Sequence, residues 1–319
     1  MKTKIRYICP KLDLHHKRII TALEIEYEVN VTCTEDEKSE IRVFENKIVY
    51  SPLSAELDEF SFNSNAIFTG ISMAFDLNHE LSDINLRERI LSNVNIADSI
   101  IVDCEFSRAL LIDIGFTRRI EVIPFGCNQE IWKTKYDRNY STPNFISTRS
   151  WTDIHNNQLL VEAISKSPLL QQYQFSLLDP GNETLLSLEE KFGVDSLRNV
   201  IFHEFMDETT LKSYSDNFAF FVSTSISDGS SVSLLEALSA GLICVAPDFP
   251  SNCEWIEDRV NGFLFENNCV GSLIYVLESL LTLGSKQLEE ISNRGSDSVQ
   301  SRANWDDNSQ KVISAIRGG

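Results

Sequence analysis

Residues 227–249 read SDGSSVSLLEALSAGLICVAPDF, a run that sets two carboxylates, Asp228 and Glu236, on either side of a passage from loop into helix. Upstream, residues 218–224 (FAFFVST) form a short apolar run of the kind found in buried parallel strands, and the small polar residues that follow can cap a helix. Leu234, Leu235 and Leu238 give that helix an apolar face, Gly241 is a natural C-terminal stop, and residues 242–246 (LICVA) read as the next buried strand. In a parallel α/β sheet, ligands sit beyond the carboxyl ends of the strands. A helix N-terminus there offers N–H groups and partial positive charge to a phosphate. Gly229, Ser230 and Ser231 stand at that N-terminus, and Glu236 lies about one and a half turns further on, within reach of a ribose. An isolated D-x7-E spacing is ordinarily an acidic loop residue and a solvated helix glutamate. The residues around it select the ligand reading.

This stretch resembles the C-terminal half of retaining glycosyltransferases of the GT-B fold, family 4 (glycosyl transferases group 1). Their signature is E-x7-E, then a small-residue helix end, a glycine and a buried strand; here it reads Asp228, GSSVSLL, Glu236, ALSAG. Residues 250–268 (PSNCEWIEDRVNGFLFENN) resemble the family's next segment, with Glu254 at its glutamate and Asn261-Gly262 as a turn dipeptide. Residues 97–132 look like the end of the first domain, closing on the crossing segment Ile123, Pro124, Phe125, Gly126, Cys127, Asn128. Residues 144–166 look like the opening strand and first helix of the second domain.

The resemblance implies two Rossmann-like domains facing each other across a cleft. The expected domains are residues 1–142 with a C-terminal helix, 303–319, crossing back onto them, and residues 143–302 as the nucleotide-sugar domain. It also implies roles. Arg149 binds the donor diphosphate and Asp228 holds the transferred sugar, with one methylene fewer than the usual glutamate. Glu236 binds the ribose, and Gly229, Ser230, Ser231 and Glu254 line the donor site. Where relatives place a second phosphate cation, a lysine, this chain has Ile154 with His155 beside it. The implied reaction retains anomeric configuration, uses a nucleotide sugar with UDP as the default base, and needs no metal or other cofactor. The leaving phosphate takes the acceptor's proton.

In the first domain the pattern is less specific. Residues 5–9 begin as a strand, residues 17–23 read as a helix, and strands follow at 26–33, 41–53, 65–75 and 97–104. With only 142 residues before Pro143 the domain is short for this architecture, so reduced helices or missing sheet elements are expected. The family's glycine-rich loop is replaced by PKLDLHHKR, where His15 and His16 are candidate acceptor-side contacts or merely polar surface. Ser72 and Asp76, just past a strand end, are further candidates. Asp76 is read as a contact to the reacting sugar or, equally, with Ser72 as a helix cap. Residues 136–142 are the linker candidate, and residues 305–316 a final helix.

Charge narrows the partners. With 47 acidic and 28 basic residues the formal net charge is −19, which argues against nucleic acid and against broad adhesion to anionic membrane. Short basic strips at Arg87 and Arg89, and at Arg118 and Arg119, allow at most weak peripheral membrane contact. Seven cysteines without C-x2-C pairing suit reduced thiols and a cytoplasmic location, and the five histidines are not at metal-ligand spacing with them. No window reaches signal-peptide or membrane-span character. The expected substrates are a nucleotide sugar and a glycan or lipid-linked acceptor, within surface polysaccharide biosynthesis. Two other readings stand beside it. One is a catalytically degenerate GT-B protein acting as an accessory subunit, suggested by Ile154, the short first domain and the absent glycine-rich loop. The other is a sugar-nucleotide epimerase on the same architecture.

Overall fold

Strands of three to seven residues alternate with amphipathic segments, and the computed structural model folds them into one six-stranded parallel sheet in each of two units. It describes residues 2–35, 41–58, 60–133, 138, 140, 142–204 and 206–318. The first unit comprises Met1–Phe125 and Trp305–Gly319, the second Gly126–Asn304.

The first unit contains β1 (Thr3–Cys9), β2 (Tyr27–Cys33), β3 (Ile41–Val43), β4 (Lys47–Tyr50), β5 (Phe60–Phe62), β6 (Ile67–Ile71), β7 (Ser99–Val102) and β8 (Arg119–Val122). Six of these pair in the order β2-β1-β4-β6-β7-β8, all parallel, while β3 and β5 form a separate pair. The sheet is therefore complete, and the shortness falls on helices. Among the described residues none connects β2 to β6, whereas the helices Leu14–Leu23, Ile84–Ile96 and Glu105–Asp113 fill the other crossings. The helix Trp305–Arg317 packs on this unit. The Arg18 guanidinium lies 5.1 Å over the Trp305 ring. Lys47 Nζ donates to the Ile316 carbonyl at 3.0 Å and Arg119 to that of Ala315, two cations where the helix dipole is negative.

The second unit contains β9 (Asn144–Ser147), β10 (Gln174–Leu178), β11 (Val200–His203), β12 (Phe220–Val222), β13 (Ile243–Pro247) and β14 (Phe263–Phe265), in the order β11-β10-β9-β12-β13-β14 and all parallel. Chain order reverses between β9 and β12. Both faces are covered, so the strands read as continuous apolar runs rather than alternating ones. Side-chain alternation then assigns each residue to a face. Phe145, Phe175 and Phe220 stack across β9, β10 and β12, with centroids 4.5 and 5.0 Å apart, in one core. Ile146, Phe221 and Cys244 face the other core, beneath Leu234, Leu235 and Leu238 of the helix Val232–Ser239.

The division at residues 125 and 126 lies earlier than the expected boundary at Pro143, because the crossing segment is built into the second unit. Cys127 N–H donates to the Ala303 carbonyl at 2.9 Å, and Trp132 is buried in the second core. Gly126 has φ +65°, and a Cβ there would stand 2.3 Å from the Ala303 oxygen, so glycine is needed for the close approach. Of the linker candidate 136–142, residues 136, 137, 139 and 141 lie outside the described residues. Two of the described ones are anchored. Arg138 is buried and donates to the carbonyls of Ser215, Phe218 and Ala240, and Tyr140 lies in the first core of the unit.

Candidate active site

The reversal of chain order between β9 and β12 opens a crevice beyond their carboxyl ends, the place where ligands bind in open α/β sheets. Two loops meet there. The loop after β9 carries Arg149 and His155, and the loop after β12 carries Asp228 to Ser231. Backbone and side-chain bonds fuse them: Ile226 N–H donates to the Ile154 carbonyl at 2.8 Å, and Thr224 Oγ1 to the carbonyls of His155 and Asn156 at 3.1 and 3.0 Å. The buried Asn157 ties down the Arg149 end, its Nδ2 donating to the Arg149 and Ser150 carbonyls at 2.9 and 3.1 Å. Ser251 Oγ donates to the Asp228 carbonyl at 2.7 Å, which fixes the second loop from β13's side.

On this frame Arg149 and Asp228 meet directly. Arg149 Nη2 lies 2.5 Å from Asp228 Oδ2, and Asp228 Oδ1 accepts the Gly229 N–H at 2.9 Å. Arg149 Nη1 donates to Ser231 Oγ at 3.0 Å and to Ser233 Oγ at 2.8 Å. Ser231 is the N-cap of the helix Val232–Ser239 but makes no side-chain cap bond, its hydroxyl being turned to Arg149 instead. The first-turn N–H groups are thus not capped by it, and they share the site with the guanidinium. Ser230 points away from this cluster, buried and accepting from Trp255 Nε1 at 3.1 Å; Arg302 covers that indole at 4.3 Å and donates to the Glu254 carbonyl. Glu254 caps the short helix Pro250–Cys253, and Glu236 occupies a half-buried position on the helix Val232–Ser239.

His155 does not supply a cation beside position 154, where the resemblance places a lysine. Its Nδ1 contacts Ser150 Oγ at 2.9 Å, and burial together with the Arg149 charge pushes its pKa down to about 4. The ring is neutral near neutral pH. Ser233 and Asn157, which hold Arg149 in place, were not among the expected residues. A hydroxyl two residues beyond the N-cap serine was the available signal for Ser233.

Of the first-unit candidates, His16, Ser72 and Asp76 are buried. His16 is buried against Tyr7, with Nδ1 3.0 Å from the phenol oxygen, and burial lowers its pKa, so it is not an exposed contact. His15 is half-buried, its ring 6.2 Å from that of Phe125. Asp76 is fully enclosed. Its carboxylate accepts from Leu53 N at 2.6 Å, Ser72 Oγ at 2.6 Å and Leu77 N at 2.9 Å, and Ser72 Oγ in turn accepts the Ala74 N–H. Of the two readings of Asp76, these bonds are those of a loop and helix-start anchor. They correct the expectation of a sugar contact.

Residues 128–298, more than half of the chain, match the family model Glycosyl transferases group 1. The chain belongs to that family. It is a glycosyltransferase, and its fold is GT-B. Sucrose-phosphate synthase from Thermosynechococcus elongatus superposes with a TM-score of 0.79 at 14% identity, covering 99% of each chain. Anabaena HepE in complex with UDP-glucose gives 0.77 at 14% identity, over 99% of this chain and 100% of that one. The pneumococcal O-GlcNAc transferase GtfA, in complex with UDP and GlcNAc, gives 0.67 at 16% identity; 85% of this chain covers 56% of it. No curated protein matches the chain by sequence. Among the described residues no helix is long and apolar enough to cross a membrane, and no group of three His, Cys, Asp or Glu is placed to hold a metal ion.

Proposed function

We propose that the protein is a retaining family 4 transferase that moves a sugar from a nucleoside diphosphate, with UDP favoured, to a glycan or other glycoconjugate acceptor. The observation that carries this reading is the convergence of Arg149, Asp228 and the helix N-terminus at Ser231 beyond β9 and β12. Departure of the sugar builds negative charge on the diphosphate. A guanidinium and oriented N–H groups stabilise that charge without a metal ion. Asp228 then orients the sugar hydroxyls, Glu236 accepts from the ribose, and the leaving phosphate takes the acceptor's proton. The bound UDP and UDP-glucose in relatives of the same fold support the base. A cytoplasmic role in surface polysaccharide synthesis, with at most weak peripheral membrane contact, completes the proposal.

The test is a thermal-shift screen against UDP, GDP, ADP, CMP and their sugar conjugates, followed by turnover with candidate acceptors. Saturation at a hundred times the dissociation constant raises stability by about 2.7 kcal/mol. Glu236→Ala is expected to weaken nucleotide binding about tenfold, the cost of one lost charge-assisted hydrogen bond. Binding unchanged in that variant would remove Glu236 from the site. Because the His155 pKa lies near 4, nucleotide affinity between pH 5.5 and 8 should carry no step from His155. His155→Gln should leave the pH profile as it is; a step that vanishes in this variant would show a charged imidazole.

A second reading, a degenerate member of the family acting as an accessory protein, is favoured by two features: Ile154 stands where the resemblance places a lysine, and Arg149 is engaged by Asp228. It expects nucleotide binding without donor consumption.

A further inference from the structure

The guanidinium of Arg149 is held by more partners than a phosphate-binding cation needs. Nη2 is on Asp228 at 2.5 Å, Nη1 bridges Ser231 Oγ at 3.0 Å and Ser233 Oγ at 2.8 Å, and the two hydroxyls are themselves 3.2 Å apart. Nε is enclosed and has no hydrogen-bond partner. The fork's orientation is therefore set by its two terminal nitrogens.

Those partners differ in what they do to the charge. The Asp228 carboxylate cancels part of it, whereas a serine hydroxyl accepts an N–H while leaving the positive charge available to an anion. In a chain of net charge −19, with Ile154 and a neutral His155 beside the site, that charge is scarce. When a diphosphate competes with Asp228 for Nη2, the hydroxyls on Nη1 keep the guanidinium from swinging out with either anion. Resting on the donor-site reading above, we propose that Ser233 is a positioning residue that, with Ser231, fixes the Arg149 guanidinium at the start of the helix Val232–Ser239 and so sets the affinity for the donor's diphosphate. A side chain in the first helical turn is well placed for this, since it moves only with the helix end that offers the N–H groups.

The experiment is calorimetric titration of the whole protein with UDP and, separately, with uridine. Ser233→Ala is expected to raise the UDP dissociation constant about tenfold, the usual loss for one hydrogen bond to a charged group. Uridine affinity and melting temperature should stay unchanged, because alanine is a better helix former than serine and the nucleoside lacks phosphate. Ser233→Thr, which restores the hydroxyl, should recover UDP affinity. Ser233→Asp keeps the contact but cancels the charge, and should weaken UDP further than alanine does. UDP binding as tight in Ser233→Ala as in the unaltered protein would overturn the inference and leave the donor site standing. Equal losses of UDP and uridine would also overturn it, as a distortion of the whole site. Failure of the unaltered protein to bind UDP would overturn the donor-site reading, and this inference with it.

Discussion

Arg149→Ala is expected to lower kcat/KM for the donor sugar nucleotide by about 10²–10³-fold, the range seen when one group is removed from a preorganised charge-stabilising site. The size follows from how few cations serve the crevice. Position 154, where the resemblance places a lysine, is isoleucine, the His155 pKa is pushed down to about 4, and the net charge of the chain is −19, so Arg149 is the main cation of the two described loops that offsets the leaving diphosphate. The helix N-terminus remains in the variant and keeps part of the stabilisation. Free uridine carries no phosphate, so its affinity should change less than twofold while donor turnover falls. Arg149→Lys keeps the charge but cannot reach Asp228 Oδ2, Ser231 Oγ and Ser233 Oγ together, as the guanidinium does at 2.5, 3.0 and 2.8 Å. It should fall between the unaltered protein and alanine. Steady-state kinetics with purified donor and acceptor decide the matter, and a variant as active as the parent would end this assignment.

The strand, loop, helix and strand around Asp228 and Glu236 were legible because they are contiguous. Three consecutive buried residues in β12 and five in β13 are long enough apolar runs to read as inner parallel strands. The pairing of Arg149 with Asp228 was not legible, since the partners are 79 residues apart in sequence and only the reversal of strand order makes them neighbours. His16 shows a missed local signal. It shares helical spacing with Ile19, Ile20 and Leu23, all buried, so the period placed it on the inward face even though its chemistry suggested surface. The boundary near Pro143 followed from the likeness of residues 144–166 to the opening strand and helix of a second domain. Arg138 donates to the carbonyls of Ser215, Phe218 and Ala240, contacts within the second unit that the sequence does not reveal.

Asp76 is where fold and chemistry are most easily confused, and the two make opposite predictions. As an anchor, its carboxylate satisfies Leu53 N, Ser72 Oγ and Leu77 N inside the first unit. Asp76→Ala leaves these buried donors unmatched and should lower unfolding free energy at pH 7.5 by about 2–4 kcal/mol, after allowing for the buried charge it removes. Asp76→Asn retains one acceptor oxygen and should lose less. Burial raises the Asp76 pKa from 3.8 to about 6, so the folded chain holds this proton more tightly than the unfolded chain does. The stabilisation that comes from this difference is complete below pH 3.8, falls as pH rises towards 6, and is gone above it. The stability difference between the parent and Asp76→Asn should therefore shrink by roughly 2–3 kcal/mol from pH 4 to pH 6.5, which denaturant titrations at several pH values measure. Turnover per folded molecule should be little changed in Asp76→Asn. A carboxylate touching the reacting sugar gives the reverse, a fall in kcat of a hundredfold or more with the melting temperature preserved. That outcome would return Asp76 to the catalytic site.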